Sequence, residues 1–320
     1  MKKIFTLILF SAAFLTHAQD SNQVTPKDTS WKINGLIGLN ITNTSLNNWQ
    51  GGGSNNFALN AIFNMEAIYK KDDVEFLNKI DAQYGLIRPG QDALRKNMDQ
   101  LFLLMKFNKR AFNQPHWYYS LQGDYRTQFA PGYRYENGQP VGQAVSDFNS
   151  PGYVQAALGL DYKPNSYFSA AIYPIAGKIT IVNRQYLADG GMYGVEPATY
   201  DSSGVRLTAG QKVRYEYGGR MVVKFKKEVA KGFTIDSYLD LFSNYANNPG
   251  NIDVVFNNLF SYKLNKLLTL TLICQMVYDD DITVKRDWNG NGIIEAADGD
   301  INGPRLQALT TWGIGFSFKY

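Results

Sequence analysis

The stretch from Asp287 to Asp298 carries the most specific chemistry in the chain. Side-chain oxygens fall at its first, third and fifth positions, in Asp287, Asn289 and Asn291. Gly292 stands at the sixth, where the backbone must turn sharply. The carbonyl of Ile293 is set to ligate from the seventh, Ile294 is an apolar eighth, Glu295 is placed to act through water, and Asp298 closes the loop. Hard oxygen donors at this spacing wrap a calcium ion. Asp298 is shorter than the bidentate Glu usual at the closing position, so the expected site is weak and structural. Its job would be to order a loop. Calcium is the one cofactor the sequence suggests.

Catalytic constellations are missing. Nucleophilic catalysis needs a base beside its nucleophile. The two histidines are His17, in the N-terminal segment, and His116, beside Trp117 at the start of a strand pattern. Neither makes a defensible pair, so no enzyme is expected. Gly51-Gly52-Gly53 follows no buried parallel strand and opens no helix, so it reads as a loop and not a phosphate cradle. Cys274 is the only cysteine, which excludes an intrachain disulfide. Asp279-Asp280-Asp281 is either a cation-attracting mouth or a solvated loop edge.

The elements that must position these residues are strands. At the C-terminus Trp312, Ile314, Phe316, Phe318 and Tyr320 alternate with small or polar residues. That is a period-2 strand with one greasy face. An open apolar edge invites aggregation, whereas a closed barrel in lipid pairs both edges. The aromatic ending also looks like the signal by which outer-membrane barrels are recognised by their assembly machinery. Further alternation places strands at about Trp31–Thr44, from Phe57 to Tyr69, from Val74 towards Leu86, and from Leu101 to Phe107. Trp117, Tyr119, Leu121 and Tyr125 then face out, with Tyr118, Ser120, Gln122, Asp124 and Arg126 facing in. Strands follow from Val154 to Tyr162, Tyr167 to Leu187 with a break near Pro174 to Gly177, Val213 to Phe225, Phe233 to Tyr245, Ile252 to Tyr262 and Leu267 to Tyr278. The expected fold is an all-β transmembrane antiparallel barrel of about 12 strands.

The connections alternate in length. Those at Lys70 to Asp73, Arg110 to Pro115, Lys163 to Ser166, Lys227 to Gly232 and Lys263 to Lys266 are short, as periplasmic turns should be. Those at Ser45 to Asn56, Arg88 to Asn97, Ala130 to Ser150, Ala188 to Gly210 and Asp279 to Gly303 are longer, as extracellular loops should be; only Ala246 to Asn251 is short. A soluble sandwich has no reason to alternate in this way.

The N-terminus sets the expected compartment. Lys2 and Lys3 precede an apolar run from Ile4 to Leu15, too short to span a bilayer, and Thr16-His17-Ala18 resembles a small-residue cleavage site. Residues 1–18 are therefore expected to be a signal peptide, 19–30 a polar periplasmic leader, and 31–320 the barrel. Without Lys2 and Lys3 the formal charge falls from +4 to +2, leaving no field for nucleic acid. Aromatics make up 14% of the chain, which suits interfacial girdles despite the polar average.

The alternation turns many charges inward: Glu66, Glu75, Lys79, Asp81, Lys106, Asp124, Arg126, Asp161, Lys212, Arg214, Glu216, Arg220, Lys224, Asp236 and Asp240. They either line a constriction for small polar solutes or pair across the lumen and close it. Both readings stand at this point. The first gives a passive pore, the second a non-conducting structural or accessory barrel of an envelope assembly. Expected partners are outer-membrane lipid, the assembly machinery and, on the second reading, other envelope proteins.

Two resemblances add to this. The Asp287–Asp298 loop is similar to the calcium loops of EF-hands and of dockerins, although no helix flanks it. The segments 95–99 (RKNMD), 127–133 (TQFAPGY), 146–153 (SDFNSPGY), 241–245 (LFSNY) and 278–281 (YDDD) resemble a Bacteroidetes-type outer-membrane family, domain of unknown function 3078. That resemblance implies an outer-membrane β-barrel over nearly the whole mature chain and supplies no activity or catalytic residue.

Overall fold

The computed structural model describes residues 30–44, 56–265, 267–282, 284–286 and 301–319. The expected signal peptide, nearly all of the leader, the candidate calcium loop and Tyr320 lie outside the described residues.

Alternating residues form twelve long strands. They are β1 (Trp31–Thr44), β2 (Asn56–Lys71), β3 (Val74–Pro89), β4 (Arg95–Arg110), β5 (Trp117–Thr127) and β6 (Gly152–Asn165). The second half adds β7 (Phe168–Ile181), β8 (Val213–Ala230), β9 (Phe233–Asn244), β10 (Ile252–Lys263), β11 (Leu268–Tyr278) and β12 (Gln307–Lys319). Each pairs antiparallel with the next, and β12 returns to β1, with Leu36 opposite Lys319 and Leu39 opposite Phe316. The sheet is therefore closed, and an even strand count makes the closing pair antiparallel. Tight turns close one end of the barrel and longer connections the other.

The faces are inverted relative to a soluble protein. Leu121, Met105, Ile172, Tyr215 and Ile314 are more than half exposed on the outside. Lys106, Asp161, Arg220 and Asp240 are buried within. This is the arrangement of a barrel built to stand in lipid. Aromatic pairs ring the short-turn end: Trp31 with Tyr69 at 5.3 Å between centroids, Trp117 with Tyr162 at 4.9 Å, and Phe112 with Tyr119 at 5.4 Å. His116 joins this belt, edge-on to Tyr162.

β7 departs from simple alternation. Its register slips against both neighbours, so that Tyr173 pairs with Arg220 but Ala176 with Gly218. Pro174 sits in the slip, where it has no N–H to offer a ladder. Ile172 and Ile175 both face out, while Tyr173, Ala176 and Lys178 are buried. The inward set thus changes from odd to even numbers. Backbones crowd beside this bulge: a Cβ on Gly218 would lie 1.8 Å from the Ser243 carbonyl oxygen, and one on Gly159 2.1 Å from that of Ile172.

Several expected boundaries move. β8 runs on to Ala230, leaving a tighter turn before β9 than the span from Lys227 to Gly232. The seventh strand stops at Ile181, and Gln185–Asp189 is instead a short helix, α1. Lys212 precedes β8 and is exposed, so it is not lumenal. The long connections hold ribbons of their own, Gly132–Glu136 with Gln139–Ser146 and Thr199–Tyr200 with Arg206–Thr208.

Replacing lipid-facing Leu121 with Arg should destabilise the folded barrel in phospholipid vesicles by about 2–4 kcal/mol, measured by denaturant titration. An unchanged midpoint would mean that this face does not meet hydrocarbon.

Candidate functional site: the lumen

The lumen is organised around Arg220, on the inward face of β8 and 3% exposed. Its Nε and Nη2 donate to the two carboxylate oxygens of Asp240 on β9, at 2.8 and 2.7 Å. Its Nη1 donates to Asp124 of β5 at 2.6 Å, reaching past β6 and β7. The planar guanidinium suits this double engagement, because its fork matches a carboxylate and leaves a further donor free. Tyr238 closes the cluster, accepting from Arg220 and donating to Asp240, both at 3.2 Å.

A second pair lies beside it. Lys106 of β4 reaches fully buried Asp161 of β6 at 2.7 Å, and Asn108 donates to the same oxygen at 3.1 Å. Tyr173, also fully buried, exchanges hydrogen bonds with Ser120 and Gln122 of β5 at 3.1 and 3.2 Å. Ala157, Ala171, Ala176, Val222 and Phe242 pack around Tyr173, the small residues leaving room for its ring.

Towards the long-loop end Lys178 is the hub. Its ammonium stands 2.6 Å from Asp253, 3.2 Å from Asp279 and 3.5 Å from Glu216. Arg214 pairs with Glu216 at 3.1 Å and with Asp281. Asp253, Asp279 and Asp280 also converge closely enough to suggest a metal cluster. The Lys178 ammonium already engages two of the three, Asp253 and Asp279, and Asn251 donates to Asp280.

Contacts also join opposite walls. Gln275 on β11 donates to Gln100 on β4 at 3.0 Å. Lys226 on β8 lies 3.4 Å from Glu66 on β2, six places round a circle of twelve, and 3.2 Å from Asp236. The rings of Phe102 on β4 and Tyr238 on β9 meet edge-on at 6.2 Å. Lys226 and Glu66 thus meet nearer the short-turn end, while Phe102 and Tyr238 form a layer near the middle of their strands. Between this layer and the short-turn end remains a cavity of about 510 Å³, running from Phe102 and Tyr238 to Lys32 and Ser166.

At the other end the loops pack on one another. Tyr186 donates to the Ala144 carbonyl at 2.8 Å, Tyr193 to that of Val145 at 2.6 Å, and Arg184 to Asp147 at 2.6 Å. Val182, Leu187, Ala188 and Val195 form a small apolar core beneath. Burial pushes the Tyr193 hydroxyl up to about 12. Hydrogen bonds from Gln185 and the Gly210 amide hold Asp189 below its ordinary value.

Set against the sequence reading, Lys79 with Asp81, Lys106 with Asp161, Arg214 with Glu216, and Arg220 with Asp124 and Asp240 are drawn into pairs. Glu66 and Asp236 share Lys226, and Glu75 pairs with Lys163. Arg126 makes no ion pair among the described residues; its guanidinium lies 5.2 Å from the Phe102 ring centre. The alternation missed Lys178, because the β7 bulge reverses its parity. It also missed Lys163, Lys226 and Asp253. Trp312 and Ile314 face outward, 74% and 53% exposed.

Comparison with known proteins adds a family-model match over part of the chain. Residues 41–133 match the family model described as protein of unknown function (DUF3078). The quoted segments at 95–99 and 127–133 fall inside that match; those at 146–153, 241–245 and 278–281 fall outside it, so the match is narrower than the sequence reading expected. Among curated proteins no sequence matches. Similar solved structures include an outer membrane channel from Pseudomonas putida F1, at 11% identity and TM-score 0.38, covering 93% of this chain and 100% of that one. The NanC porin aligns at 11% identity and TM-score 0.35, covering 90% and 100%. The barrel assignment rests on this chain's own strand pairing.

Truncating Arg220 to Ala leaves Asp124 and Asp240 buried without their cation, and should destabilise the barrel by about 3–5 kcal/mol in urea titrations. The exposed Arg110–Asp73 pair serves as control, where Arg110→Ala should change stability by less than about 1 kcal/mol. Equal effects would show that the Arg220 cluster does not hold the lumen together.

Proposed function

We propose that this chain is an outer-membrane β-barrel whose lumen admits small polar solutes and is held shut at mid-depth by its own side chains. The observation that carries the reading is the contact between opposite walls at mid-depth, Phe102 with Tyr238, with Lys226 and Glu66 bridging the lumen nearer the short-turn end. The charged, paired lining supports a polar route, since an apolar solute would have to displace ion pairs. The short turns then lie in the periplasm and the long loops outside. The outward apolar face at Trp312 and Ile314, with the aromatic residues that follow in the sequence, suits recognition by the assembly machinery during insertion.

Single-channel conductance of the refolded barrel in a planar bilayer tests the closure. The wild type should hold a quiet baseline, and the Phe102→Ala, Tyr238→Ala double variant should open steadily. Steady wild-type openings would replace the closed barrel with a passive pore. Silence from a correctly folded double variant would favour the non-conducting accessory barrel of an envelope assembly.

The Asp287–Asp298 loop is proposed to bind calcium outside the cell as a brace for the last long loop. Its donor set of carboxylates, amides and one carbonyl suits that hard ion. Calcium should slow protease cleavage of this loop in the wild type and leave cleavage of the Asp287→Ala, Asp298→Ala variant unchanged. Equal cleavage of the wild type with and without calcium would refute the brace.

A further inference from the structure

We infer that the cavity in the short-turn half of the lumen is a binding site for a small, hydroxyl-bearing organic anion, with the Lys224 ammonium as its charge anchor. The inference rests on reading the lumen as a solute compartment, but not on its conducting.

The charge of the lining favours an anion. Four lysines line the cavity, Lys32, Lys79, Lys224 and Lys226, against three carboxylates, Glu66, Asp81 and Asp236. The carboxylates are spoken for: Asp81 holds Lys79 at 2.8 Å, and Glu66 and Asp236 flank Lys226. Neither Lys32 nor Lys224 makes an ion pair among the described residues; Lys32 is exposed at the short-turn end, and the partly buried cation is that of Lys224. Its ammonium lies 5.5 Å from the centre of the Tyr238 ring, a weaker partner than a carboxylate. An unmatched cation partly buried between protein walls attracts an anion more strongly than one in bulk water. A cationic solute would meet Lys224 with like charge, and a neutral one would leave it unmatched.

The rest of the lining favours hydroxyls. Asn34, Gln83 and Asn257 face the same cavity and make no side-chain hydrogen bond among the described residues. Each amide offers both donors and an acceptor, which is what a hydroxyl-bearing solute requires. Phe102 and Tyr238 close the inner end with ring surface against which C–H groups can pack. The volume, about 510 Å³, suits a solute of sugar size. One partly buried spare positive charge, several free amides and two rings together describe a monocarboxylate carrying hydroxyls, such as a sugar acid.

The test uses the full barrel folded in detergent, with labelled D-glucuronate and D-glucose as probes in equilibrium dialysis. The two differ in having a carboxylate or a hydroxymethyl on the same ring. Wild type should bind glucuronate saturably and at least about tenfold more tightly than glucose, as one charge-assisted contact provides. Lys224→Gln should lose that preference and Lys224→Arg should keep it. Equal affinity for the two sugars, no saturable glucuronate binding, or undiminished preference in Lys224→Gln would overturn the assignment. Glucuronate binding by a barrel that never conducts would sustain the site while refuting solute passage, so the two readings fail separately.

Discussion

Everything in this barrel follows from the need to keep charge away from lipid. The outer wall must be apolar and every backbone group must be paired within the sheet. Polar residues on alternate positions then have one place to go, the lumen. A buried charge there needs a partner and hydrogen bonds for its remaining lone pairs. Arg220 meets that need twice over, with Asp240 on the neighbouring strand and Asp124 three strands away. The same demand draws Lys106 to Asp161 and Lys178 to Glu216, Asp253 and Asp279. Pairing charges across a narrow barrel also fills it, so that the lumen behaves as a polar core.

The bulge in β7 decides how that core divides. Tyr173 enters the middle of the lumen just before Pro174, and the slip there turns Lys178 inward above it. Small residues accommodate the slip: Gly159 and Gly218 lie where a side chain would strike a neighbouring backbone. Tyr173 and the Arg220 cluster form a packed wall on one side, and the Phe102–Tyr238 contact carries that wall across. What remains open is a compartment at the short-turn end, with a lysine that has no carboxylate of its own. The long-loop end is organised separately, by its own apolar core and by tyrosine hydroxyls donated to loop carbonyls. The wall-to-wall contact at mid-depth and the compartment below it are thus consequences of one packing problem.

The sequence by itself determined the architecture. Period-2 alternation is a local property, since successive side chains of a strand point to opposite faces whatever the strand pairs with. It therefore placed β1, β5 and β12, the outward face of Leu121 and Tyr119, and the inward face of Asp124 and Arg220, and the lengths of the connections ordered the two ends. Only the tertiary structure decided which charges meet. Pairing between Arg220 and Asp124, or Lys226 and Glu66, depends on barrel closure and on strands far apart in the chain. A break near Pro174 was legible in the sequence, but not that it is a slip of one residue, which arises from how β7 fits β6 and β8 and reverses the side on which Lys178 stands. Which side chains meet across the lumen lay in those distances, which no local pattern encodes.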